Sequence, residues 1–349
     1  MKLTTVELSK VKSINVKSQN INSLQGINYF TSLTSLNAAS NHLKELDISG
    51  LKKLTTLYLA DNNLSSIDFS NNVLLKNISL NNNQLSSIDV SKLLSLAQLA
   101  VSSNQLIELD VSKNLELKQL SVNNNLLSGL DLSKNQLLTN YLSVYNNKLI
   151  NLNLIENISV SKLQQNPNQI ISRDGTYDLR KLSDSVIPTR ISNIEGATIH
   201  GTILSGLENN IDVTYDYDCG NDQILKVVLK VKVKEQNSWL VEPSVDNWNL
   251  GNSPSTPVGK AKYGEVIFTY SNSIDNGFTT SIPAASGQWY MKAKVLETDD
   301  YTGLEKIVPF QILFDNPATG NNSMTILVCT IFIVIISTII VFNRRKLKI

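Results

Sequence analysis

Apolar residues recur at a fixed interval between Leu33 and about Leu154. The first apolar position of each unit is held by Leu33, Leu54, Leu75, Leu96, Leu117 and Leu138, which are 21 residues apart. Further into each unit, two apolar residues are separated by one other residue, the alternation of a strand with one buried face. A fixed period of this length predicts a solenoid, because one unit cannot bury its apolar face alone and must stack on its neighbours.

Each unit continues with an asparagine and, two residues later, another leucine. The asparagines are Asn41, Asn62, Asn83, Asn104 and Asn125. A buried primary amide both donates and accepts hydrogen bonds, so we expect these side chains to satisfy backbone groups of their own and the next unit. The complete pattern, L-x-x-L-x-L-x-x-N-x-L, is the leucine-rich-repeat signature. It predicts a mainly β fold, a curved solenoid with a parallel sheet on its concave face.

The second half of each unit carries an aspartate that is followed two residues later by serine. These aspartates are Asp47, Asp68, Asp89, Asp110 and Asp131. We interpret them as turn-forming side chains that bond nearby backbone amides on the convex side. Because the Leu, Asn and Asp columns are held in register through the repeats, they indicate a structural role rather than a ligand site.

The units at both ends are irregular, as terminal repeats usually are. Ile14 and Gln19 fit the apolar and asparagine columns 22 residues ahead of Leu36 and Asn41, so a degenerate unit precedes Leu33. Only about ten residues precede that unit, which favours a missing N-terminal piece with a cap. One residue is inserted near Tyr141, and 158–170 is a degraded last unit.

From Ile171 the pattern changes to short strands separated by turns. The stretch ILKVVLKVKVKE alternates apolar residues with lysines, which predicts a half-buried edge strand. A second such segment contains Trp239, Trp248, Trp289 and Tyr290, whose rings predict an aromatic core. This strand spacing predicts two small β-sandwiches, the first covering the open core of the last repeat.

The last part of the chain has three components in a row. Asn316, Pro317, Ala318, Thr319 and Gly320 precede the uncharged apolar run Met324–Phe342, and four basic residues follow that run. The run is long enough to cross the ~30 Å hydrocarbon core as a transmembrane helix. Basic residues directly after a span predict a cytoplasmic tail, so the solenoid is expected outside the cell.

Several of these stretches resemble one family. The segment INSLQGINYFTSL, with the repeats after it, resembles internalin-like leucine-rich-repeat surface proteins of Gram-positive bacteria (Firmicutes). In that family an immunoglobulin-like module follows the solenoid. The C-terminal components resemble a cell-wall sorting signal, in which sortase cleaves between Thr and Gly and joins Thr to a peptidoglycan precursor. Asn316 stands where leucine is usual, which leaves the sortase class open; the alternative is a permanent membrane anchor.

These arguments divide the chain into six segments. They are the solenoid at 1–170, an immunoglobulin-like sandwich at 171–235, a β-rich spacer at 236–313, a linker with the sorting motif at 314–323, the transmembrane helix at 324–342 and the basic tail at 343–349. The resemblance implies a cell-surface adhesin that is anchored to the wall or membrane and binds a protein or glycan on another cell or matrix. A structural wall protein without a specific ligand is the alternative.

Composition and motifs give little support to other functions. The formal net charge is +1, so no basic surface for nucleic acid is indicated. The two histidines, His42 and His200, have no partner spacing for catalysis or metal binding, and we predict neither an enzyme nor a cofactor. The cluster DYDCGND lacks the glutamate of an EF-hand loop and is interpreted as a hairpin turn. Cys219 in that turn could be exposed, but no basic neighbour indicates a reactive thiolate.

Candidate binding residues lie between the fixed columns. The residues that flank the inner leucines of each strand point to the concave face, which is small, polar and nearly uncharged. Tyrosine is favoured in binding surfaces. The predicted ligand-binding residues are Tyr58, Asn77, Asn81, Gln98, Gln119, Asn123, Tyr141 and Tyr145.

Overall fold

The computed structural model describes residues 5–314, except 157 and 159. The chain divides after Glu235 into two compact units. Within the described residues, no helix is both long and apolar enough for a membrane span. The predicted sorting motif at 316–320, the span at 324–342 and the tail at 343–349 lie outside the described residues.

The first unit begins with short elements that repeat with the sequence period. The helices are α1 (Thr5–Leu8) and a 3-10 turn at Ile27–Tyr29. The strands are β1 (Ser13–Asn15), β2 (Ser35–Asn37), β3 (Thr56–Tyr58), β4 (Asn77–Ser79), β5 (Gln98–Ala100), β6 (Gln119–Ser121), β7 (Gly129–Asp131), β8 (Tyr141–Ser143) and β9 (Asn151–Asn153).

Seven of these strands form one parallel sheet in the order β1-β2-β3-β4-β5-β6-β8. Ile14 is paired with Leu36, and Gln119 with Tyr141, so the degenerate first unit and the insertion near Tyr141 are confirmed. β7 and β9 pair separately, on the second half of the last two regular units. The central residue of every strand from β2 to β8 is buried, because the alternation turns one residue in two toward the core.

The asparagine column connects consecutive repeats as expected. The Nδ2 of Asn104 donates to the carbonyl oxygens of Leu80 and Val101, both at 3.0 Å, and its Oδ1 accepts from the N–H of Leu85 at 3.0 Å. Corresponding bonds are made by the other four ladder asparagines. Each amide therefore satisfies backbone groups that the turn after the strand would otherwise leave unpaired in the core.

The opposite side of the solenoid confirms the aspartate turns and adds a second asparagine set. The Oδ1 of Asp68 accepts from the N–H of Ser70 at 2.7 Å, and the other aspartates do the same. Asn72, Asn114 and Asn135 are fully buried and donate to carbonyl oxygens of the preceding repeat. Leu51 and Leu93 occupy the same column, so the sequence alone did not mark it as polar.

The remainder of the first unit, after the solenoid, consists of two small sheets. Its strands are β10 (Asn168–Ser172), β11 (Thr176–Asp178), β12 (Ile191–Glu195), β13 (Thr198–His200), β14 (Ile203–Ser205), β15 (Val213–Gly220) and β16 (Gln223–Val233), with 3-10 turns at Leu179–Lys181 and Pro188–Arg190. The sheet orders are β10-β16-β15-β12 and β11-β14-β13. β10 spans the boundary that the sequence predicted between residues 170 and 171.

The lysine-rich strand β16 is half-buried as predicted, but its assignment as an edge strand is wrong. It lies inside its sheet, antiparallel to β15 on one side and parallel to β10 on the other. Its lysines point away from the core while both backbone edges are paired. The alternation of apolar residues and lysines shows only which face of β16 is buried. It does not show how many strands pair with β16, and the second partner, β10, comes about 60 residues earlier in the chain.

This β segment covers the last repeat, as predicted. Its hydrophobic core is continuous with that of the solenoid. The Tyr215 hydroxyl donates to the carbonyl oxygen of Ile150 at 3.1 Å, and the Tyr217 hydroxyl donates to Oδ1 of Asn153 at 2.7 Å. The N–H of Leu154 donates to the carbonyl oxygen of Cys219 at 3.1 Å. The open end of the solenoid core is therefore closed by β15.

The second unit has its own small core. Its strands are β17 (Trp239–Ser244), β18 (Trp248–Asn249), β19 (Val258–Ala261), β20 (Ile267–Ser271), β21 (Gly287–Val295) and β22 (Leu304–Leu313). They form a β17-β19 pair and a β18-β22-β21-β20 sheet. Trp248 stacks on Phe310 with ring centroids 5.0 Å apart, and Trp289 packs at the margin. Trp239 and Tyr290 are not part of this cluster, so the predicted aromatic core is smaller than expected.

Candidate functional site

The outward side of the seven-stranded sheet carries the predicted binding residues, and we call it the sheet face. It consists of the residues on either side of each buried central leucine or isoleucine, together with the residue two positions after each strand. Because the strands pair in register, equivalent residues of successive repeats form straight rows. Neighbouring positions in a row are about 4.8 Å apart, the spacing of hydrogen-bonded strands.

A shallow depression of about 310 Å³ lies on this face, over β3 to β8. Six of the eight predicted residues line it, namely Tyr58, Asn77, Asn81, Gln98, Gln119 and Tyr141. Ala100 is also among the lining residues, and no charged residue is found among them. The repeat columns therefore identified residues that the fold brings together from five strands.

Three primary amides cross the depression in one row. Asn77 is paired with Gln98, and Gln98 with Gln119, in the register of β4, β5 and β6. None of these three side chains makes a hydrogen bond within the described part of the chain. They differ in this respect from the ladder asparagines, whose amides are used by backbone groups. Their donors and acceptors are free to bind a ligand.

One tyrosine continues this row, and a second lies on the strand beyond its other end, in the adjacent row. Tyr141 continues it on β8, beside Gln119, and its side chain is 55% exposed. Tyr58 is 39% exposed and lies on β3, where it pairs with Ser79 and so belongs to the adjacent row; the β3 residue opposite Asn77 is Thr56. Four strand spacings separate β3 from β8, or about 19 Å. The depression therefore has an exposed aromatic ring on each of its outermost strands, and an extended molecule can pack on both rings.

Asn123 has a different environment from the other predicted residues. It is 8% exposed, and its Oδ1 accepts hydrogen bonds from the hydroxyls of Ser102, Ser121 and Ser143 at 2.7, 3.1 and 2.9 Å. Asn81 is partly engaged as well, because its Oδ1 accepts from the N–H of Ser102 at 2.8 Å. These contacts connect β5, β6 and β8 beside the depression, so Asn123 has a structural role on the sheet face.

Tyr145 lies outside the depression, near the end of the sheet. The Nζ atom of Lys162 is 5.3 Å from the centre of its ring, a cation–π contact. Lys162 belongs to the degraded last unit, where the repeat register no longer assigns residues to columns. The sequence argument for an uncharged face therefore missed this lysine, and no pattern in the sequence marks it.

The other polar features of the first unit do not form a comparable site. A cleft of about 730 Å³ on the opposite side is lined by the turn aspartates Asp89, Asp110 and Asp131 and by Arg180 and Lys181. The N–H and then the hydroxyl of Ser112 lower the pKa of Asp110, which keeps this carboxylate in its turn-forming state. Among the described residues, no group of His, Cys, Asp and Glu side chains is arranged to hold a metal ion.

The cluster around Cys219 is a β-hairpin, as interpreted from the sequence. β15 and β16 are joined by Asn221 and Asp222, both with positive φ, at 55° and 57°. The sequence left the exposure of Cys219 open; in the structure it points into the core beneath the last repeat and is fully buried. Burial raises the pKa of its thiol to about 12, so it has none of the thiolate character of a reactive cysteine.

Comparison with known proteins gives matches only among solved structures. No protein-family model matches the chain, and no curated protein matches it. The functional domain of InlJ from Listeria monocytogenes, described as including a cysteine ladder, is 18% identical over 66% of this chain and 64% of its own length, with a TM-score of 0.39. A leucine-rich-repeat protein of Leptospira interrogans is 25% identical over 46% of this chain and 44% of its own, with a TM-score of 0.41.

A third similar structure is an internalin of Listeria monocytogenes, 19% identical over 47% of this chain and 84% of its own, with a TM-score of 0.37. The present chain thus spans less than two thirds of the length of the first two proteins. The neighbours include internalins and leucine-rich-repeat proteins. The repeat fold of this chain is established by its own parallel register and asparagine hydrogen bonds.

Proposed function

We propose that this chain is a recognition protein that binds a partner through the sheet face, and that it is displayed at the cell surface as an adhesin. The observation that carries the binding role is the row of unengaged amides in a depression that two exposed tyrosines also line. The paired strands fix the spacing of this row before binding, so no backbone has to be ordered when a partner binds. The β segments that follow the solenoid serve as a cap and, as immunoglobulin-like modules, as spacers. The proposal assigns the chain no catalytic step.

The binding role is tested by blocking the centre of the depression. Ala100 lines it, and an arginine there places a long cationic side chain among the amides. We expect Ala100→Arg to weaken binding to any partner found on arrays of host surface proteins and glycans by at least about tenfold. The measurement is the dissociation constant of the purified full chain for that partner.

Ser86→Arg is the charge-matched control, because Ser86 is exposed on another part of the repeat, outside the depression. It should bind as the unaltered chain does. If Ala100→Arg binds the partner normally and Ser86→Arg loses binding, the binding site does not lie on the sheet face. If the arrays show no saturable binding at all, the alternative function, a structural wall protein without a specific ligand, is favoured.

The surface location is supported by the sequence of the C-terminal region. A Pro-x-Thr-Gly motif at 317–320, an apolar run and a basic tail follow one another there. We propose that sortase cleaves after Thr319 and joins the chain to peptidoglycan, with the membrane span holding the precursor. Mass spectrometry of C-terminal peptides released from purified cell walls is expected to find one that ends at Thr319.

A Thr319→Ala chain provides the control for this experiment and should remain in the membrane fraction with its tail intact. If the unaltered chain also keeps its tail and fractionates with the membrane, the sorting proposal is wrong. The apolar run would then act as a permanent anchor.

A further inference from the structure

The chemistry of the sheet-face depression narrows the class of molecule that it can bind. Its free groups are the amides of Asn77, Gln98 and Gln119. Each amide carries two donor hydrogens and one acceptor oxygen on the same short side chain. A partner that satisfies such a row must offer closely spaced groups that both donate and accept. Hydroxyl groups on adjacent carbon atoms have this property.

Two tyrosines on the outermost strands of the depression provide flat apolar surfaces. Tyr58 and Tyr141 are exposed, and neither hydroxyl makes a hydrogen bond within the described residues. A tyrosine ring combines a large apolar face with a polar tip, so it suits molecules that have one hydrocarbon face and a polar rim. The rings of pyranose sugars have such a face on their C–H side, with hydroxyls around the edge.

No charged residue is found among the described residues that line the depression, and this narrows the class of ligand further. An acidic ligand requires cationic partners when it is removed from water, and none lines the depression. A protein interface of ordinary size is usually anchored by buried aromatic residues or arginine within an apolar centre. The centre here is instead made of amides and small side chains, with Ala100 on β5 and Ser121 on β6.

From these observations we infer that the depression is a binding site for a neutral glycan chain, an extended oligosaccharide without acidic sugars. The inference rests on the proposed function, since it names the ligand of the same face. The amide row binds the hydroxyls of the glycan, and the two tyrosines pack on sugar rings near the ends of the glycan. The distance of about 19 Å between β3 and β8 requires several consecutive sugar units rather than a monosaccharide.

The test uses an array that presents neutral glycans beside the same glycans with a terminal sialic acid. The purified full chain is expected to bind one or more neutral chains and to bind no sialylated chain more tightly than its neutral counterpart. Gln98→Ala removes the central amide and should weaken the strongest neutral interaction at least tenfold, as measured by titration calorimetry. Binding to no neutral glycan, or preferential binding to acidic ones, overturns the inference.

Matched controls separate loss of contact from loss of structure. Gln105 is an exposed glutamine of the same repeat region that lies outside the depression, and Gln105→Ala should bind as the unaltered chain does. Tyr58→Ala removes one of the two rings and should also weaken the strongest neutral interaction. Its control is Tyr29→Ala, since Tyr29 is exposed and lies outside the depression. Circular dichroism checks that both variants are folded. If Gln98→Ala and Gln105→Ala then bind the glycan with equal affinity, the amide row is not part of the binding site.

Failure of the inference can be distinguished from failure of the proposed function. If the partner is a protein whose binding survives enzymatic removal of its glycans but is lost in Ala100→Arg, the sheet face binds protein and the glycan assignment is wrong. If Ala100→Arg binds that partner normally, the sheet face itself is not the site, and both proposals fail.

Discussion

Replacement of Asn104 by alanine is expected to lower the free energy of unfolding of the first unit by roughly 2–5 kcal/mol. The Asn104 amide donates to the carbonyl oxygens of Leu80, Val101 and Ser102, and accepts from the N–H of Leu85. Alanine leaves the buried N–H of Leu85 without a partner. It also removes one of the hydrogen bonds accepted by each of the three carbonyl oxygens, which keep their other donors. The effect is large because one side chain serves two consecutive repeats.

The measurement is urea unfolding followed by far-UV circular dichroism. The three tryptophans, Trp239, Trp248 and Trp289, all belong to the second unit, so their fluorescence does not report on the solenoid. Asn77→Ala is the matched control. Its amide has no hydrogen-bond partner in the described residues, and its removal should change the unfolding free energy by no more than about 0.5 kcal/mol. Similar losses for both variants would show that the ladder bonds are not the source of stability.

Replacement of Tyr215 by alanine is expected to cost roughly 3–5 kcal/mol and to expose the last repeat, because it removes a large ring from the joint core. Tyr215 is 1% exposed, and its hydroxyl donates to the carbonyl oxygen of Ile150. Burial also raises the pKa of this hydroxyl far above that of free tyrosine, so the group stays neutral and keeps its donor. Without the ring, the terminal repeat loses the cover that a solenoid end requires.

Hydrogen exchange followed by mass spectrometry separates this local effect from general destabilisation. Peptides from 141–154 should exchange faster in Tyr215→Ala, while those from 54–80 change least, since each repeat contacts only its neighbours. Tyr215→Phe keeps the ring and should cost only about 1–2 kcal/mol. Tyr29→Ala, at an exposed tyrosine, should leave the exchange pattern unaltered. Uniform acceleration along the whole solenoid would contradict a capping role for β15.

Much of the solenoid was predictable because its determinants are local and repeated. The alternation around Leu57 or Leu99 fixes which residues turn inward, and parallel stacking in register then fixes the rows of the sheet. The recurrence of asparagine four residues after the end of each strand marks the same turn in every repeat. The candidate residues at the sheet face followed from this register, and the structure collects six of them around one depression.

Other features of the face depend on contacts that no column describes. Asn123 occupies the same column as Asn81, yet three serine hydroxyls converge on its oxygen because small polar residues happen to adjoin it on three strands. Lys162 reaches Tyr145 from a unit in which the register is lost. Availability of a side chain for binding is decided by its neighbours in space, so it cannot be read from the repeat alone.

The sequence by itself determined the repeat fold, the strand register, the aspartate turns and the candidate binding rows, since each depends on spacing within about one period. Only the tertiary structure decided that β16 is an inner strand and that Cys219 is buried. The tertiary structure also decided which amide side chains of the sheet face make no hydrogen bond to the described residues. These outcomes depend on pairings such as Tyr215 with Ile150, which are 65 residues apart. Contacts of that range are set by how whole segments pack, because burying the open end of the solenoid requires a cover that the repeat pattern does not encode.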